Sequence, residues 1–136
     1  TLPGVEVSPQ TEKKADEAAK IAYEGNVEEG VKALDDSIAS ATDSYDKFVF
    51  YSQKATVLFN SGDKDNAIIA AKSAYEIEKN ASSAALVGQI AKSMNDTVVA
   101  LDYYKKALGL VDSNSPFATL DREEYQRLIT EIEGAS

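Results

Sequence analysis

At 136 residues the chain is about one domain long, room for a single core and for no separate catalytic domain. With 43% hydrophobic and 27% charged residues it has globular composition, and its longest uncharged stretch, Asn80 to Ala91, is too short and too mild to span a bilayer. A net charge of −9 argues against nucleic acid and anionic membranes, and the absence of Cys and His removes disulfides, thiolate metal sites, cysteine nucleophiles and the commonest general base.

Residues 1–10, "TLPGVEVSPQ", hold two of the three prolines and no helical period, which predicts a tether or terminal edge. No signal-peptide pattern follows the Thr1 start, which leaves open a fragment of a longer or membrane-anchored protein. Ser8-Pro9 opens a first helix to about Glu24, with Ala15, Ala18, Ala19 and Ala22 forming one small-residue face. Gly25-Asn26 stops it. Asn26, with Glu29 as capping-box partner, starts a second helix to about Ala41 carrying Val27, Val31, Leu34 and Ile38 on one side.

Asp43 in "TDSYDKF" caps a third helix through Phe48, Tyr51, Ala55, Leu58 and Phe59. Gly62 ends it, and Asp63 caps a fourth, with Ala67, Ile68, Ala71, Ala74 and Ile77 at helical spacing. A fifth helix covers about Ala81 to Met94 and breaks at Asn95-Asp96, where Asn can take the left-handed conformation. The sixth carries Ala100, Leu101, Tyr104, Ala107 and Leu110. The seventh, near Phe117 to Glu133, is marked by Asp121 with Glu124 in capping-box register and by Tyr125, Leu128, Ile129 and Ile132. No stretch reads as a strand.

The breaks repeat. An offset of 33 residues puts Gly62-Asp63 on Asn95-Asp96, Ala55 on Gly88, Ala67 on Ala100, Ala71 on Tyr104 and Ala74 on Ala107. Gly25-Asn26 joins at an offset of 37, with Gly30, Leu34 and Ser37 at the places of Ala67, Ala71 and Ala74. In these residues the sequence resembles the tetratricopeptide repeat family, whose unit of about 34 residues is a helix A, a tight turn and a helix B. "YSQKATVLFNSGDKDNAIIAAKSAYEIEKN" supplies Tyr51, Ala55, Leu58, Gly62, Asp63, Ala67 and Ala74, with Ala71 departing from the family's aromatic. "ALDYYKKALGL" is the best single match.

The resemblance implies an all-α fold: a right-handed α-solenoid of three hairpins, at about 11–44, 45–80 and 81–114, with a capping helix at about 117–133, as one domain over 11–134. It also gives the alanines a reason, because helices that cross closely tolerate nothing larger at the contact. Such arrays present a concave face of A-helix side chains to a peptide or helix. That geometry projects Ala15, Ala19, Ala22 and Tyr23, then Val49, Ser52, Thr56, Phe59 and Asn60, then Ser82, Ala85, Gln89 and Lys92 onto the face. Partner contact is expected at Tyr23, Val49, Ser52, Thr56, Phe59, Asn60, Ala85, Gln89 and Lys92, although Tyr23 and Phe59 stand where they serve packing between repeats equally well. The Lys and Asn clamp of the family's chaperone-tail binders is missing, since those places hold Ala15, Ala19, Ser52, Thr56, Ala85 and Gln89.

Catalytic chemistry has little to stand on. "DKDN" at 63–66 starts like a calcium loop, but Ile68 and Ala74 occupy the places that need Gly and Glu. The acid pairs Glu28-Glu29, Asp35-Asp36 and Glu123-Glu124 read as solvated helix faces, and no phosphate loop, nucleophile elbow or metal spacing occurs. The expectation is a non-enzymatic interaction module without cofactor or metal, docking a protein or peptide with apolar side chains and basic residues drawn to the acidic rim. The alternative is an assembly element whose repeats stack on another copy or on further helices of a longer chain. Cytoplasmic and tethered extracytoplasmic bacterial locations both fit.

Overall fold

The computed structural model describes residues 8–135, so the tether expected at 1–10 lies largely outside the described residues. Among the described residues seven helices follow one another: α1 (Pro9–Tyr23), α2 (Val27–Ser40), α3 (Ser44–Asn60), α4 (Lys64–Ile77), α5 (Ala81–Ser93), α6 (Thr97–Leu110) and α7 (Ala118–Ala135). No strand occurs among the described residues. The fold class is all-α, as the periodicity predicts.

The three hairpin turns close in the same way. Gly25, Gly62 and Asn95 take positive φ of 107°, 94° and 60°. The next residue's N–H then donates to the carbonyl five residues back: Asn26 to Ile21 at 3.2 Å, Asp63 to Leu58 at 2.9 Å and Asp96 to Ala91 at 3.0 Å. Each turn thereby satisfies a carbonyl that the ending helix leaves open. Asp63 and Asp96 also accept from the N–H groups of Asn66 and Val99, as helix caps do.

Two capping expectations fail. Asn26 makes no side-chain cap bond, so the Asn26–Glu29 capping box is absent, whereas one unmarked in the sequence forms between Asn80 and Ser83. Asp121 lies within the first turn of α7, its N–H bonded to the Phe117 carbonyl, so it complements the helix dipole instead of capping.

The chain packs as two compact units with the boundary between Glu78 and Lys79. In the first, α1 lies on α2 and α3, and α3 on α2 and α4. Its core gathers Ala15, Ala18, Ala19, Ala22, Leu34, Phe50 and Val57, with Val27, Val31, Ile38 and Val49 half-buried around it. A Cβ placed on Gly30 would sit 2.6 Å from the Ala18 carbonyl oxygen and 2.8 Å from the Ala22 Cβ. Gly therefore stands where the family pattern has Ala because α1 and α2 cross too closely even for a methyl group. Along α4, Ala67, Ala71 and Ala74 are fully buried, and Tyr75, one turn after Ala71, is buried as well.

In the second unit α6 packs between α5 and α7. Tyr104 lies over Gly88, where an added Cβ would meet its ring at 3.1 Å, and stacks on Tyr125 with centroids 6.4 Å apart. Ile129 and Ile132 complete the buried side of α7, and Lys92–Glu131 and Lys105–Glu133 pair across at 3.5 and 3.8 Å. Leu110 is 38% exposed, so the apolar stripe of α6 ends before it.

Candidate partner-binding surface

In the first unit, Ser52, Thr56 and Asn60 fall four residues apart on α3 and form one row along the helix. Ser52 and Thr56 are half-buried and Asn60 is exposed. The Thr56 hydroxyl donates to the Ser52 carbonyl at 3.0 Å, a back-bond that satisfies it within the helix. Asn60 Nδ2 donates to the Tyr23 hydroxyl at 3.0 Å, which brings together two predicted site residues 37 positions apart and joins the ends of α1 and α3.

Tyr23 itself is 55% exposed, an aromatic ring presented to solvent beside that row. Phe59 and Val49 are half-buried, and Val49 packs against the core. Ala15, Ala19 and Ala22, projected onto the same open face, are buried instead: α2 and α3 close over the small-residue side of α1. In the second unit Ala85, Gln89 and Lys92 follow one another on a face of α5. Ala85 is half-buried, Gln89 is exposed, and Lys92 is held by Glu131 of α7.

Charge divides unevenly. Residues 1–78 carry fifteen acidic against eight basic residues, and residues 79–136 carry eight against six, so the first unit holds most of the negative charge. Perturbed titrations gather on α6 and α7. Burial, helped by Glu124, pushes the Tyr104 phenol up, and burial does the same to Tyr125. The hydrogen bond from Arg127 holds the Glu124 carboxyl low. These shifts belong to the packing and the surface pairs of α7. Among the described residues no three His, Cys, Asp or Glu gather as a metal group, and no helix is long and apolar enough to cross a membrane.

The sequence reading missed one surface. Val31, Tyr51, Leu58 and Ile69, from α2, α3 and α4, line a groove of about 560 Å3. Its signal in the sequence is slight: Ile69 stands out of phase with the alanines that flank it.

Comparison with family models and with curated proteins finds no match. Solved structures do match. The type III secretion chaperone SycD of Yersinia enterocolitica, in complex with a peptide of the translocator YopD, aligns at 16% identity over 93% of this chain and 95% of its own, with a TM-score of 0.71. PcrH from Pseudomonas aeruginosa aligns at 8% identity over 98% of both chains, with a TM-score of 0.72. PcrH in complex with the chaperone binding region of PopD aligns at 11% identity over 99% of this chain and 98% of its own, at 0.71. At these identities the likeness shows a shared helical fold.

Proposed function

We propose that the chain is a non-enzymatic docking module, a divergent tetratricopeptide array that holds an extended or helical segment of another protein on the A helices of its hairpins. The observation that carries this reading is the likeness over nearly the whole chain to two proteins solved with bound segments of others, the chaperone SycD with a peptide of the translocator YopD and PcrH with the chaperone binding region of PopD. The local chemistry agrees with it. The α3 row is short and neutral, so a partner's backbone can approach, and Tyr23 beside it offers an aromatic anchor with a hydroxyl already oriented by Asn60. In the second unit, taken by itself, Ala85 and Gln89 on α5 are likewise neutral, and Lys92 is committed to Glu131.

The reading assigns partner contact to Tyr23, Ser52, Thr56 and Asn60 first, with Phe59, Ala85 and Gln89 supporting. Val49 is a poor site for a test because it packs on the core. Thr56→Glu combined with Asn60→Glu places two charges on the row without touching a fully buried residue. Retention of proteins from source-cell extract, identified by mass spectrometry, should be strong for the native chain and lost for this double variant at unchanged helicity. Equal retention by both would refute docking on α3.

A further inference from the structure

The first unit carries a second surface, on the side of its B helices. The groove between α2 and α4 runs over α3, and its volume of about 560 Å3 is within the range of ligand clefts, roughly 300–1,000 Å3. Ile69 is 62% exposed there although Ala67, Ala70 and Ala71 around it are buried, so α4 presents a branched apolar side chain that its own core does not receive. Tyr51 and Leu58 supply the floor.

Charge decides what the groove accepts. Its two cations are already neutralised, Lys54 by Asp35 at 2.6 Å and Lys32 by Asp36 at 3.0 Å. Glu28 and Asp63 line it as well. Asp63 accepts hydrogen bonds from Asn66, the backbone N–H on one carboxylate oxygen and Nδ2 on the other, and the surrounding unit is strongly acidic, so an occupant meets negative potential beside an apolar floor.

We propose that this groove docks a segment of another protein bearing a large apolar side chain next to lysine or arginine. The apolar group lies over Tyr51, Leu58 and Ile69, and the cation falls beside Glu28 or Asp63. Tyr51, Lys54 and Leu58 occupy a different side of α3 from Ser52, Thr56 and Asn60, so this site stands independently of the function proposed above.

The probe is a random-peptide display library panned against the full chain, with enriched peptides measured by fluorescence anisotropy. Enriched sequences should pair a large apolar residue with Lys or Arg, and their Kd should weaken at least tenfold for Ile69→Glu and several-fold for Ile69→Ala. Val98→Glu, an equal charge change at an exposed α6 position, should leave it unchanged. Because Ile69 is exposed, both variants should retain native helicity. Raising salt should weaken binding further. Acidic consensus sequences, full binding by Ile69→Glu, or no enrichment at all would overturn the proposal. Peptides lost by Thr56→Glu but kept by Ile69→Glu would also overturn it, while supporting docking on α3.

Discussion

Replacing Gly30 by Ala tests the close crossing of α1 and α2 with a change of one methyl group. In an isolated helix the substitution favours Ala by about 1 kcal/mol, because Gly has more backbone freedom to lose. Here the added Cβ would lie 2.6 Å from the Ala18 carbonyl oxygen, 2.8 Å from the Ala22 Cβ and 3.0 Å from the Ala22 nitrogen. Two of the three neighbours are backbone atoms, which no rotamer change can move, so relief requires the helix axes to part. Overpacking of this kind costs about 1–3 kcal/mol, and the parting also loosens contacts of Ala18, Ala22 and Leu34. The steric term outweighs propensity, and the expected outcome is a net loss of about 1–2 kcal/mol in urea unfolding. Thermal unfolding should show a Tm fall on the order of 5 °C. Gly109→Ala on α6 is the control: nothing lies within 4 Å of its added Cβ, and it should hold or slightly raise stability. If Gly30→Ala stabilised the chain as much as Gly109→Ala, the close crossing would be wrong.

Leu34, fully buried in the first unit, should cost about 3 kcal/mol as Leu34→Ala, measured by urea denaturation. Asp63→Ala removes the α4 cap and should cost about 1 kcal/mol with helicity elsewhere unchanged by circular dichroism. Tyr104 makes alkaline stability fall: burial raises its folded pKa above the unfolded value, so its contribution is intact below about pH 10 and is lost as pH rises through the folded pKa. Tyr104→Phe should therefore flatten the stability profile above about pH 10 and leave it unchanged near neutrality, read from denaturant midpoints against pH.

The hairpins are legible because each break carries its own chemistry: Gly or Asn takes the left-handed conformation, and at the second and third breaks the Asp that follows caps the next helix. Buried alanines at helical spacing were equally readable, since Ala67, Ala71, Ala74, Ala100 and Ala107 share one cause, close approach of helix axes. Caps that depend on side-chain torsion were not. Asn26 and Glu29 have the right spacing and make no box, and Ser83 makes one that no Glu or Gln advertised. Family geometry also misjudged Ala15, Ala19 and Ala22, because a small-residue face can be covered by two neighbours at once, and periodicity does not say how many helices pack on it. The pairing of Tyr23 with Asn60 and the exposed Ile69 depend on contacts between elements distant in sequence, which a single sequence does not encode locally.

The proposed docking depends most on α3. Amide hydrogen exchange, read by mass spectrometry on the chain alone and with the protein it retains from extract, addresses that directly. Docking on the A helices predicts slowed exchange across residues 49–60, where the row Ser52, Thr56 and Asn60 lies, with little change along α7. Protection confined to α7, or exchange along α3 that is the same in the free and bound chain, would contradict it.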